Sequence, residues 1–345
     1  MKKSQQKARE KMSKSDILLK LNNIKKWFPV DQGAMQNWLN RDNPVAIRAV
    51  DGVSFEIRRG EVFGLAGESG SGKTTVGRLA LRLIEPTQGE VIFNNVNLAE
   101  LSKEELRNER KRMQVIFQDP LASLNPRMTI GQAIAHPIEI HQSGVTQNKK
   151  EIVMQVLERV GLAPANLYYD KYPHQISGGQ RQRVVIARAL VTTPELILAD
   201  EPIAMADVSV RALLLDLMKR LKDELGLTYL FITHDLATAK YICDRIGIMY
   251  LGKIVEVGDL KKVFSNPLNP YTQALLEAVP VPDPNQRRKG EMPRGEIPSP
   301  INPPSGCRFH PRCPFAENQC SESEPELREI EPEHSVACHY AEKFL

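Results

Sequence analysis

The chain has 345 residues, 41% of them apolar and 26% charged, with 46 Lys and Arg against 42 Asp and Glu. At roughly 100–200 residues per domain this length buries one or two full cores, which excludes a wholly disordered chain. No uninterrupted apolar run of about 18 residues occurs, which excludes a membrane-spanning helix, and a net charge of +4 is too near balance for whole-chain affinity to nucleic acid.

The first 26 residues carry nine Lys and Arg against Glu10 and Asp16, without the apolar stretch of a secretory signal. Residues 1–15 are expected to be a flexible basic tail of a chain that is not exported, and weak attraction to anionic lipid or a partner is the other reading of that charge. Ile17–Leu21 and Val53–Ile57 have the β-branched content and partial alternation of half-buried strands, with a polar, turn-prone loop from Asp31 to Pro44 between them. Glu61–Ala66 is a short apolar strand followed by a Gly-rich loop and a helix whose apolar face holds Val76, Leu79, Ala80, Leu83 and Ile84. Leu196–Ala199 and Tyr229–Thr233 repeat that short buried-strand pattern, which suits a parallel sheet covered on both faces. About 130 residues of mostly helical pattern separate the first of these strands from the second, too long for a simple crossover, so an inserted helical subdomain is expected at about 119–180. Lys149–Val160 and Gln180–Leu190 are helices read within that 130-residue stretch. From Val279 to Pro304 eight prolines forbid regular elements and mark an extended connector, and a small cysteine-bearing module follows.

Gly67-Glu68-Ser69-Gly70-Ser71-Gly72-Lys73-Thr74 has the spacing of a phosphate-binding loop. Glycines let consecutive N–H groups turn inward as an anion nest, the following helix points its positive end at the phosphates, Lys73 reaches the outer phosphates, and Thr74 offers a hydroxyl to Mg²⁺. Asp200 and Glu201 follow an apolar strand, where a carboxylate lies beside a nucleotide crevice: Asp200 to hold the magnesium shell, Glu201 to orient or activate water. Alone, this pair reads equally well as a helix cap. His234 ends the third buried strand, and a lone histidine there is most often structural.

Ile176-Ser177-Gly178-Gly179-Gln180-Arg181-Gln182-Arg183, standing after the phosphate loop and before Asp200-Glu201, closely resembles the signature of the ATP-binding cassette family. The resemblance implies a P-loop NTPase (RecA-like) α/β core with an antiparallel β subdomain and an inserted helical subdomain. It assigns ATP contacts to Gly67, Ser69, Gly70, Ser71, Gly72, Lys73, Thr74 and Thr75, and Mg²⁺ to Thr74, Gln118 and Asp200. Glu201, His234 and Gln118 become the groups that set the attacking water, and Trp27 or Phe28 the aromatic that stacks on adenine. It also implies that two such subunits sandwich two ATP molecules, each phosphate loop facing the Ser177, Gly178, Gly179 and Gln180 of the other chain. The loop after Glu201 departs from the family pattern: Asp207 is kept, but Ala204 and Ala206 stand where a hydroxyl and a leucine are usual. Hydrolysis is expected to survive, because Lys73, Asp200, Glu201 and His234 are all present.

Asn269-Pro270-Tyr271-Thr272-Gln273-Ala274-Leu275-Leu276, Gly295-Glu296-Ile297-Pro298 and Gly306-Cys307-Arg308-Phe309-His310-Pro311-Arg312-Cys313-Pro314 resemble the tail of dipeptide and oligopeptide importer ATPases, with Asn269 in place of the group's usual His. The division that follows is a tail at 1–15, an ABC nucleotide-binding domain at 16–265, an extension and Pro-rich linker at 266–305, and a four-Cys module at 306–345. Cys307, Cys313, Cys320 and Cys338 lack the short Cys pair of structural zinc sites, and a disulfide framework does not suit a cytosolic chain. Four thiolates in a loop-rich segment can hold an iron–sulfur cluster, and the resemblance implies a [4Fe–4S] cluster there; zinc and unliganded thiols are the other readings. The implied function is ATP hydrolysis that energises an importer of peptides, with oligosaccharide as another solute class. Its partners are a second ATPase subunit, two integral permease subunits and, indirectly, a solute-binding protein, with no nucleic acid. Its place is peripheral, on the cytoplasmic face of the cell membrane. A weakly hydrolysing regulatory partner and a soluble non-transport ABC ATPase are the alternatives.

Overall fold

Glycine 60 turns the chain between a long strand and a short one, and around that turn two sheets are laid against each other. The computed structural model describes residues 17–30, 45–141, 148–279 and 295–345. The expected tail, the loop from Asp31 to Pro44 and most of the Pro-rich connector lie outside the described residues.

Strands β1 (Ile17–Pro29) and β2 (Ala46–Arg58) pair antiparallel, and β4 (Gln88–Phe93) and β5 (Val96–Asn97) complete a four-stranded sheet in the order β2-β1-β4-β5. Strands β3 (Val62–Ala66), β6 (Met113–Ile116), β7 (Leu196–Asp200), β8 (Thr228–Thr233) and β9 (Arg245–Tyr250) are parallel neighbours in the core sheet. It continues antiparallel through β10 (Lys253–Asp259), β12 (His334–Val336) and β11 (Arg328–Glu331), giving the order β11-β12-β10-β9-β3-β8-β7-β6. Every residue of β3, β7 and β8 is buried, as strands covered on both faces require. This is the mixed α/β P-loop architecture with an antiparallel subdomain.

Helix α1 (Lys73–Ala80) follows β3 and buries Val76, Leu79 and Ala80. It is shorter than its apolar pattern suggests: Arg82 takes φ +47°, which ends the helix, and Leu83 is 42% exposed. The stretch read as mostly helical also contains β4, β5 and β6. After α2 (Lys103–Arg110), the helices α3 (Pro120–Ser123), α4 (Ile130–His141) and α5 (Lys149–Arg159) cluster against α7 (Gly178–Leu190), and α6 (Asn166–Tyr169) packs on α4. Ile130, Ile134, Ile138, Val153, Leu157 and Val184 form their shared core. Helix α8 (Val208–Leu225) is stopped by Gly226 at φ +66°, and α9 (Leu236–Ile242) covers β3 and β8. Past β10 come α10 (Leu260–Ser265) and α11 (Pro270–Glu277); α12 (Asn318–Glu322) lies in the cysteine module.

Candidate functional site

The loop from Gly67 to Gly72 leaves β3 at its carboxyl end, and its glycines are there for geometry. Gly67 (φ +151°) and Gly72 (φ +104°) lie so close to other strands that an added Cβ would meet Met249 O at 2.1 Å and Ala49 O at 2.2 Å respectively. Lys73 is 6% exposed, and its Nζ donates to Gly67 O and Glu68 O, both at 2.8 Å. Burial lowers its pKa, opposed by the carboxylates of Glu201, Asp200 and Glu68. Thr74 Oγ1 donates to Asp200 Oδ1 at 3.1 Å, which places the hydroxyl and the carboxylate as adjacent oxygen ligands for a divalent cation. Burial raises the Asp200 pKa, an effect the Thr74 hydrogen bond counters.

Two residues from distant parts of the sequence meet on the carboxylate of a third, Glu201. Gln118 Nε2 donates to Glu201 Oε2 at 3.0 Å, and His234 Nδ1 lies 3.0 Å from Glu201 Oε1. A carboxylate only accepts, so Nδ1 carries the hydrogen in this contact. Glu201 itself sits at φ +46°, its N–H donating to Ile232 O at 3.0 Å; a non-glycine residue in that region costs on the order of 1–3 kcal/mol and is held by its surroundings. The cleft between these groups and the phosphate loop has a volume of about 530 Å³ and is lined by Ser69, Gly70, Lys73, Thr74, Thr75, Gln118, Glu201 and His234. Ile47, Ala49 and Pro300 line it as well, and Pro300 O accepts the Arg48 N–H at 3.0 Å, so Pro300 borders the cleft. Neither Trp27 nor Phe28 lines it. Trp27 Nε1 donates to Asp51 Oδ1 at 3.1 Å, and Phe28 is 38% exposed at the end of β1.

The Ser177 to Gln180 segment opens α7 with a reciprocal cap: Ser177 Oγ accepts the Gln180 N–H at 3.3 Å and Gln180 Oε1 accepts the Ser177 N–H at 2.9 Å. None of the four residues lines the cleft. Gly179 must be small, since an added Cβ would meet Val210 Cγ1 at 2.9 Å. Asp207 precedes α8 without capping it through its side chain. The segment with Ala204 and Ala206 is held instead by Arg211, whose Nε donates to Ala206 O at 2.8 Å, a residue that sequence reading missed because its target is a pair of backbone carbonyls.

Cys307, Cys313, Cys320 and Cys338 line one cavity of about 450 Å³, while Cys243 is packed in the core beneath Gly64. Among the described residues no three His, Cys, Asp or Glu side chains converge on a point suited to one metal ion. Asn269, in place of the expected His, caps α11: its Oδ1 accepts the Tyr271 N–H at 2.9 Å and its Nδ2 donates to Ala337 O at 3.1 Å.

The loop, the Thr74–Asp200 pair and the Glu201 cluster define a P-loop ATPase site, and the Ser177 segment adds the cassette signature. Residues 50–204 match the family described as ABC transporter, and residues 255–320 match the one described as oligopeptide/dipeptide transporter, C-terminal region. The chain is 47% identical over 331 residues to the oligopeptide transport ATP-binding protein AppF of Bacillus subtilis, covering 94% of this chain and 97% of AppF. It is also similar to the dimeric post-hydrolysis structure of the ATP-binding cassette MJ0796 bound to ADP and Pi (TM-score 0.61, 29% identity, 70% of this chain and 99% of that one). A third likeness is cbiO1 of Clostridium perfringens, part of the transporter complex cbiONQ (TM-score 0.61, 26% identity, 73% and 92%). The chain belongs to the ATP-binding cassette family and is an ATPase.

Proposed function

We propose that this chain hydrolyses ATP to energise an importer of dipeptides or oligopeptides, working beside a second ATPase subunit. The observation that carries the ATPase chemistry is the convergence of Gln118 and His234 on Glu201, across the cleft from Lys73. Lys73 and the loop N–H groups take the phosphates, Thr74, Asp200 and Gln118 hold Mg²⁺, and Glu201 with His234 orients the water. That Ser177 to Gln180 stand outside their own chain's cleft supports a shared site, as does the dimeric state of the MJ0796 structure. The name of AppF and the C-terminal family match support peptide as the solute. No helix among the described residues is long and apolar enough to cross a membrane. In this reading the transport path belongs to two permease subunits that dock this chain at the cytoplasmic face, fed by a solute-binding protein. We read the chain as a tail, a nucleotide-binding domain, a linker and a four-Cys module with the boundaries given above. A cell lacking this gene is expected to lose uptake of a labelled peptide and regain it on complementation. Uptake unchanged by the deletion, or lost for another solute class only, would refute the peptide assignment.

What supports a cluster reading is that the four cysteines line one void, since a cluster is held by four thiolates. Burial pushes the Cys307 thiol up to about 12 and Cys313 to about 11, so both would have to give up a proton to serve as thiolate ligands. Anaerobically purified chain is expected to contain about four iron atoms and to show visible charge-transfer absorbance, both lost in Cys313→Ser. Stoichiometric zinc without iron would overturn the assignment.

A further inference from the structure

Arg312 of the cysteine module reaches the phosphate loop. Arg312 ends the short turn His310–Arg312, immediately before Cys313. Its Nη1 donates to Glu68 Oε2 at 2.9 Å and its Nη2 to Glu68 Oε1 at 3.2 Å, a two-pronged pair in which the arginine side chain is 9% exposed. The guanidinium is lodged beside the Tyr250 and Phe309 rings, each centroid 5.8 Å away, so it has little freedom to turn elsewhere.

Glu68 is the second residue of the phosphate loop and is held at every polar group. Its carboxylate is held by Arg312, its N–H donates to Tyr271 Oη at 2.9 Å, and its carbonyl accepts from Lys73 Nζ at 2.8 Å. The same carbonyl accepts the Ser71 N–H at 3.2 Å from within the loop, and the two holds from outside the loop and its helix are Tyr271 of the C-terminal extension and Arg312 of the cysteine module. The carboxylate matters for a second reason: a negative charge in an anion-binding loop repels the ligand unless a cation cancels it.

We propose that Arg312 is a positioning residue for the nucleotide, fixing the start of the phosphate loop and cancelling the charge of Glu68 so that the loop accepts a nucleoside di- or triphosphate. The proposal rests on the ATPase assignment, and it makes the cysteine module part of the nucleotide site, whatever the cysteines hold.

The test is calorimetric titration of the full chain with MgATP and MgADP. Arg312→Gln is expected to weaken both by about tenfold, while kcat of the assembled complex at saturating ATP changes by less than about twofold. Glu68→Gln in the Arg312→Gln background removes the stranded carboxylate and is expected to return affinity to within about threefold of wild type, a rescue that a merely structural arginine would not give. Unchanged affinity in Arg312→Gln, or a double variant as weak as the single one, would overturn the proposal. Where Arg312→Gln does not fold, Arg312→Lys serves: with the charge kept it is expected to bind within about threefold of wild type, and a loss beyond about tenfold counts against charge cancellation. Failure of the wild-type chain to bind MgATP would overturn the ATPase assignment along with this inference, whereas wild-type binding with no effect of Arg312→Gln overturns this inference alone.

Discussion

Glu201→Gln is expected to lower MgATP turnover by the assembled complex by about two to three orders of magnitude while the nucleotide stays bound. The substitution keeps the size and planarity of the side chain and its contact with Gln118, but exchanges a carboxylate oxygen for an amide. His234 Nδ1, now 3.0 Å from Glu201 Oε1, then loses the anionic acceptor that orients its ring. Lys73, Thr74 and Asp200 are untouched, so binding energy is retained and the loss falls on kcat. Steady-state phosphate release measured beside nucleotide binding separates the two. Full turnover in the variant would mean that this chain binds ATP while its partner performs hydrolysis, and the regulatory reading would then replace the catalytic one.

His334→Ala is expected to destabilise the chain by about 3–5 kcal/mol, because it strips one partner from a buried pair. His334 and Glu256 are both 0% exposed, with Nε2 2.7 Å from Glu256 Oε1. Glu256 also accepts the N–H groups of Leu268 at 2.8 Å and Asn269 at 3.2 Å, so its carboxylate is the knot that ties β10, β12 and the start of α11 together. Without the imidazole, the carboxylate keeps two neutral donors and faces a cavity. Urea denaturation of wild type and variant measures the difference, and a midpoint shift equivalent to less than about 1 kcal/mol would show that the pair contributes little.

What the sequence discloses here follows the chain's own continuity. The phosphate loop, the Ser177 segment and Asp200-Glu201 are legible because the chemistry needs their residues consecutive, and the backbone that joins them also builds the site. Gln118 and His234 were reachable only by resemblance to a family, since nothing local relates either to Glu201, from which they stand 83 and 33 residues away. Arg312 and Glu68, 244 residues apart, left no signal at all: an arginine near cysteines and a glutamate in a Gly-rich loop each have an ordinary local explanation. Strand β6 was hidden by its length of four residues within a helical stretch; the start of β1 at Ile17–Leu21 was legible, and its continuation to Pro29 was hidden by the register shifts that break its alternation against β2. Leu83 shows the opposite error, where a helical period continued in the sequence after the backbone had already turned at Arg82.

The C-terminal strands do more than decorate the core sheet. Because β12 pairs with β10 from Glu256 to Gly258, and β11 pairs with β12 in turn, the last forty residues close one border of a sheet whose centre holds the phosphate loop. A chain cut before Gly306 would leave the backbone of β10 unpaired along that border and bare the Glu256 carboxylate. Such an open, sticky margin invites pairing between molecules rather than a tidy minimal ATPase. The segment that looks most like a detachable appendix is therefore the cover of a sheet edge that would otherwise stand open.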